Sequence, residues 1–321
     1  MSSNAHIHIL QGAFLMNIEV ERINEGIKNS PKEYIENTNM DYVYRLKQIV
    51  DDIIAQRDEK PVILLAGPSG SGKTTTAMMI EKMLDDQGHE THTLSMDNYF
   101  CPLTEEEKEL AALGKMDLES PLRMDSKLLS AQIEAMSACE EVEIPKYNFK
   151  SSTREPGRRF QRRHGELVIF EGIHALNPEV ITVPDSQINK IYVSVRTRVT
   201  DGNTVLHPSR VRLLRRMIRD KKFRKRSLQE TMNMFHSVES GENKYIMPYK
   251  DRSDYDVDTF MAYELSVYRD PLIGQLREMA DIPEIAETLE VLENMEPVDS
   301  KLLPSDSLVC EFVGNSQFKY S

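Results

Sequence analysis

Apolar residues gather in short runs, and between the runs they recur every third or fourth position, which predicts strands alternating with helices. Val62–Ala66 is an unbroken apolar run, and Thr91–Met96, Glu166–Phe170 and Lys190–Val195 read as three more strands further along. Runs without a polar alternate suit strands covered on both faces. Thr75–Leu84 is helix-compatible. In Asp41–Arg57 the residues Val43, Leu46, Ile49, Val50, Ile53 and Ile54 stand at helical spacing, so a helix there packs one stripe on the core. Together these segments predict an alternating α/β fold around a parallel sheet.

The first strand runs directly into Gly67-Pro-Ser-Gly-Ser-Gly-Lys-Thr74, and a helical stretch follows. Gly67, Gly70 and Gly72 let the backbone curl until successive N–H groups point at one anion, and the next helix adds its positive end. Lys73 then reaches the β- and γ-phosphates and Thr74 reaches Mg²⁺. Gly67, Ser69, Gly70, Ser71, Gly72, Lys73, Thr74 and Thr75 form a candidate nucleotide phosphate site on this reading.

Composition narrows the class. The chain has 321 residues, 40% apolar and 29% charged, enough for one large α/β domain with insertions or a domain with a small lid. No apolar stretch approaches the roughly 18 residues a bilayer requires, and residues 1–15 lack a secretory pattern, so a cytoplasmic protein without membrane partners is expected. Cys101, Cys139 and Cys310 stand far apart without CxxC spacing, which gives neither a zinc site nor a disulfide framework. A net charge of −12 speaks against general nucleic-acid binding.

One segment reverses that charge. Arg210–Arg226 holds ten basic residues and one acid, Asp220. Arg212, Arg215, Arg216 and Arg219 share one helix face, whereas Val211, Leu214 and Ile218 share another, so the helix is expected to pack one stripe and present arginines on the other. Guanidinium groups bind phosphate oxygens in bidentate fashion and stay charged, which suits a mobile lid over a transferring phosphoryl group, with Arg216 and Arg219 as catalytic candidates. A solvated basic face and an RNA-binding patch are the alternatives. The absence of interleaved aromatics speaks against the second.

Two acids stand at strand ends, Asp97 after Thr91–Met96 and Glu171 after Glu166–Phe170. Ligands of open parallel sheets sit at such ends. A turn or cap role for either is the alternative. His174 reads as a packed histidine without a role.

The phosphate loop, Ser95–Phe100, Lys146–Arg154, Val168–Leu176, Arg212–Asp220 and Tyr245–Pro248 together resemble the uridine kinase and phosphoribulokinase family, and the resemblance spans roughly residues 18–295. The segment EGIHALNP and a terminal region like Pro304–Tyr320 are similar to a bacterial branch labelled uridine or nucleoside kinase. The resemblance implies a three-layer P-loop NTPase-type α/β fold with a five-stranded parallel sheet, a hairpin covering the substrate, and an Arg-rich lid over ATP. It implies Asp97 as the carboxylate accepting a proton from an acceptor 5′-hydroxyl. It further implies Asp117 and Arg212 at ribose hydroxyls, Tyr147, Phe149 and Arg154 near a base, and Thr74 with Glu171 at Mg²⁺. A homo-oligomer is implied as well.

One departure bears on the acceptor. Where pyrimidine nucleoside kinases carry an aspartate and a histidine to read the base, this chain has Asn148 and Ser152. A buried reader of the wrong kind leaves a polar group unpaired and shifts specificity strongly. The expected activity is ATP-dependent phosphorylation of a small hydroxyl acceptor, a nucleoside first. The alternatives are a sugar phosphate or other metabolite alcohol, and a nucleotide-binding regulator without turnover. The expected division is residues 1–58 as an extension with a packing helix, 59–300 as the kinase domain with a hairpin at about 140–165 and a lid at about 208–240, and 301–321 as a tail.

Overall fold

Alternate residues of Val62–Ala66 feed different cores, with Ile63 and Leu65 joining the apolar cluster on one face of the sheet and Val62, Leu64 and Ala66 the cluster on the other. The structure, a computed structural model, describes residues 16–320. The expectation of a loosely structured extension over residues 1–15 lies outside the described residues.

The described residues open on β1 (Asn17–Glu19), α1 (Val20–Asn29) and α2 (Pro31–Gln56), followed by β2 (Val62–Ala66), α3 (Lys73–Asp86), β3 (Thr91–Ser95), α4 (Glu105–Ala112) and α5 (Ser126–Ser137). The hairpin β4 (Glu141–Asn148) and β5 (Thr153–Gln161) comes next, then β6 (Leu167–Glu171), β7 (Ile188–Ser194), β8 (Arg198–Asp201) and β9 (Thr204–Leu206). The remainder is α6 (Pro208–Phe223), α7 (Leu228–Tyr245), β10 (Tyr255–Asp258), α8 (Glu264–Arg277), α9 (Pro283–Asn294) and α10 (Cys310–Val313).

The main sheet is parallel with the order β10-β7-β2-β6-β3. Its four inner and leading strands are those the apolar runs predict, within one or two residues. The fifth, β10, reads Tyr-Asp-Val-Asp and lacks an apolar run, because an edge strand needs only Val257 inside. Register puts Leu65, Glu171 and Ser95 in one row, so β2, β6 and β3 end level and their following loops converge.

Helices α1–α3 and α6–α9 cover one face of the sheet, while α5, the hairpin and the segment Ala175–Val183 cover the other, giving three layers. Each fully buried Ile, Leu or Val of these layers contributes about 1.5–3 kcal/mol relative to exposure. The hairpin pairs antiparallel with a break between Ile144 and Lys146, where Pro145 has no N–H to donate to the ladder. It docks on the loop after β3 through Tyr147 N–H, which donates to Asn98 Oδ1 (3.3 Å). Among the described residues no helix is long and apolar enough to cross a membrane.

The expected division of α6 into a packed stripe and a presented arginine stripe is corrected. Every side chain from Val211 to Ile218 is buried, arginines included. The helix lies between the phosphate loop, α7, α8 and α10, so both faces meet protein and the arginines need partners within it.

Candidate active site

The loop Gly67–Thr74 leaves β2 at its carboxyl end and enters α3 through Gly72, whose φ of +85° lies in the region favouring glycine. At Gly67 a Cβ would stand 2.1 Å from the Val193 carbonyl oxygen, so only glycine lets the loop pass β7. Lys73 Nζ donates to the Pro68 carbonyl (3.1 Å), and the Ser71 hydroxyl is buried without a partner.

Helix α6 holds this loop by its carbonyls. Arg212 donates to the Ser69 carbonyl (3.0 Å), Arg215 to the Gly70 carbonyl (3.1 Å) and Arg216 to the Ser69 hydroxyl. Glu242 of α7 then takes both amino groups of Arg212, at 2.6 and 2.7 Å, and accepts from Ser69 N–H (3.0 Å). Arg215, without exposure, pairs with Glu264 of α8 at 2.7 and 2.9 Å. Arg212 and Arg215 are therefore committed to protein carboxylates. Arg216 and Arg219 instead line a cavity of about 670 Å³ that opens over the loop. Burial, then its neighbour Arg219, lowers Arg216 to about 10, so the position already favours a bound anion. Asp220, the one acid of the segment, is fully buried amid Arg219, Arg224 and Arg226.

Asp97 and Glu171 face the loop from the level strand ends and line the same cavity, together with Lys73 and Thr74. The turn after β3 is capped by the Ser95 side chain, which accepts from Asp97 N–H (3.3 Å), so the capping alternative for Asp97 falls away. Protein packed around Asp97 raises its carboxyl above the usual range, and Lys73 pulls it back. Asp97 is nonetheless exposed where it lines the cavity. Burial pushes Glu171 up to about 7, with Asp97 adding to the shift and Lys73 opposing it. Thr74 and Glu171 are hard oxygen donors beside the phosphate loop, and a divalent cation there would relieve the crowding of Glu171 by Asp97, so the two fit Mg²⁺.

The residues expected at the acceptor lie elsewhere than this cavity. Arg154 clamps the hairpin near its tip, donating to Asp125 (2.9 Å) and to the Tyr99 and Phe100 carbonyls (3.1 Å each). Tyr147 is buried, its hydroxyl accepting from Arg123 (3.3 Å), and Phe149 is exposed, the two rings meeting edge-to-face at 5.0 Å. Asp117, exposed, accepts from the Tyr245 hydroxyl (2.7 Å) at the end of α7, one turn beyond Glu242. Sequence reasoning missed Glu242, Glu264 and the cavity-lining tail residues Glu311, Phe318 and Tyr320. Aromatics closing an otherwise polar tail, Gly-Asn-Ser-Gln-Phe-Lys-Tyr, were the available signal.

Comparison with known proteins agrees with this geometry. The family model described as Phosphoribulokinase / Uridine kinase family matches residues 62–266. A uridine kinase of Staphylococcus haemolyticus is 32% identical over 197 residues, covering 60% of this chain and 84% of that protein, and one of Staphylococcus aureus is 32% identical over 196 residues with the same coverage. Among solved structures, D-glycerate 3-kinase of Cryptococcus neoformans is similar at a TM-score of 0.46 and 14% identity, over 65% of this chain and 89% of that one. The matched span opens on the first residue of β2 and takes in all five strands of the main sheet, well over half of the 321 residues. A chain matched to that extent belongs to the phosphoribulokinase and uridine kinase family, and is a kinase of that family.

Proposed function

We propose that the chain transfers the γ-phosphoryl group of ATP to the 5′-hydroxyl of a nucleoside. The observation that carries this reading is the Asp97 carboxylate, open to the cavity and opposite Lys73 at the mouth of the phosphate loop. The acceptor oxygen forms a bond to Pγ as the bond from Pγ to the ADP oxygen breaks, and the hydroxyl proton passes to Asp97. A carboxylate raised above its usual range is a stronger base for that task. Lys73, Arg216 and Arg219 neutralise charge on the transferring group, which is most of what phosphoryl transfer asks of a protein. Thr74 and Glu171 would hold Mg²⁺, which would supply positive charge against the phosphates. Gly67–Thr75 cradle the donor phosphates. Asp117, Tyr147, Phe149, Arg154 and Arg212 form the acceptor side, with Arg154 and Arg212 acting by holding the hairpin and the loop in place. Relatives named uridine kinase support a nucleoside as acceptor.

A second reading, another metabolite alcohol, is favoured by the hairpin tip. Asn148 donates to Glu155 (2.6 Å) and accepts from the Lys150 and Ser151 amides (2.9 and 3.3 Å), so its amide is spent on the hairpin itself rather than on a base. ADP release from Mg-ATP across nucleosides, pentose phosphates and pantothenate separates the readings. Turnover on one nucleoside, falling by about 10²–10⁴ in Asp97→Asn with ADP binding retained, is the expected result. Turnover confined to a non-nucleoside would favour the second reading, and no turnover with intact ADP binding would sink both.

A further inference from the structure

The cavity over the phosphate loop has two kinds of lining. Charged groups, among them Lys73, Asp97, Glu171, Arg216, Arg219 and Glu311, share it with the rings of Phe223 from the end of α6 and of Phe318 and Tyr320 from the carboxyl-terminal tail. A nucleoside triphosphate carries the matching pair of surfaces, an anionic chain and a flat aromatic base. The tail lies beyond the span that matches the family model, so nothing in that match accounts for it.

The tail is held there by named contacts. Leu308 packs over Gly72, where a Cβ would come within 2.8 Å of its side chain. Thr75, the residue after the loop, donates its hydroxyl to Glu311 (2.5 Å) and pairs with the Tyr320 hydroxyl (3.1 Å), which also meets the Ser316 hydroxyl (3.0 Å). Thr75 has one hydroxyl proton and gives it to Glu311, so Tyr320 must donate to Thr75 and Ser316 to Tyr320. This directed chain fixes the tail against the first turn of α3. At the far side Lys222 donates to the Val313 carbonyl, drawing the tail against the end of α6 next to Phe223. Phe223 is 55% exposed where it lines the cavity.

We propose that the carboxyl-terminal tail builds the subsite for the base of the donor nucleotide, with Phe223 and Phe318 as the stacking surfaces and Tyr320 positioning the tail. Aromatic faces stack on any base and exclude water from it. The proposal rests on the reading of Gly67–Thr75 as the donor's phosphate site and deepens it.

Two probes separate the two kinds of lining: ADP, which carries a base, and inorganic tripolyphosphate, which has none. Both are titrated calorimetrically, with Mg²⁺, into the full chain and into Phe223→Ala and Phe318→Ala. ADP affinity is expected to fall about tenfold or more in each variant while tripolyphosphate affinity holds. Phe223, being exposed at a helix end, keeps the test valid should the tail variant misfold. Unchanged ADP affinity in both variants overturns the tail subsite but leaves the phosphate site standing, and an equal loss for both probes overturns it in favour of mere propping of the loop. Failure of the unaltered chain to bind either probe would overturn the donor reading itself.

Discussion

His174 is 2% exposed on the segment after β6, its ring edge-to-face with Tyr245, and neither ring nitrogen has a partner at hydrogen-bond geometry. Burial lowers it from 6.5 to about 4, against opposing pulls from the Glu119 backbone and Asp117. The folded state thus resists a proton that the unfolded chain accepts at 6.5. Its contribution is intact above that pH and is lost as pH falls from 6.5 toward 4, by about 3 kcal/mol. Chemical denaturation across this window should show the unaltered protein losing stability more steeply than His174→Leu, and parallel profiles would refute the assignment. The carboxylates at the strand ends follow the same physics with opposite sign, since burial raises Asp97 and Glu171 and so favours their protonated forms.

Helix α6 acts as a brace between the phosphate loop and α8, and Arg215 is its bolt. Its guanidinium and the Glu264 carboxylate are both without exposure, and Arg215 also donates to the Thr259 carbonyl (2.7 Å). A buried pair is not a large net source of stability, but a buried charge deprived of its partner is expensive. Arg215→Met is therefore expected to cost about 3–5 kcal/mol in urea unfolding, and Arg215→Met combined with Glu264→Leu to recover most of that. A double variant as unstable as the single would contradict the pairing argument. The fate of α6 also shows what could be read from the chain alone. The loop, its strand and its helix are contiguous, so local spacing carried them, and Asp97 and Glu171 follow from ends of apolar runs. The burial of Arg212 and Arg215 depends on Glu242 and Glu264, which lie 30 and 49 residues away and arrive through packing of other helices. The spacing of arginines along α6 is the same whether they meet solvent or carboxylate. Thr75 and Tyr320 are 245 residues apart, beyond the reach of any local pattern.

At the scale of the whole molecule, α1 and α2 share the apolar cluster that covers one face of the sheet, and the Tyr42 hydroxyl bonds Thr76 of α3 (2.7 Å) in the interior. Val20, Ile23, Ile27, Ile35, Tyr42, Leu46, Val50 and Ile53 are all buried there. At about 1.5–3 kcal/mol each they represent more than about 10 kcal/mol of burial, comparable with the entire stability of a typical domain. A fragment lacking residues 1–57 should lose its cooperative thermal transition by circular dichroism. A melt at the temperature of the full chain would show the two helices to be dispensable. The contacts of the tail carry a different consequence, one of timing. A ribosome makes the phosphate loop early and Tyr320 more than three-quarters of the chain later, so a nascent polypeptide holds a finished loop with an unfinished wall. The tail side of the cavity exists only once synthesis has passed residue 320, and any chain interrupted before that point would carry the loop without it.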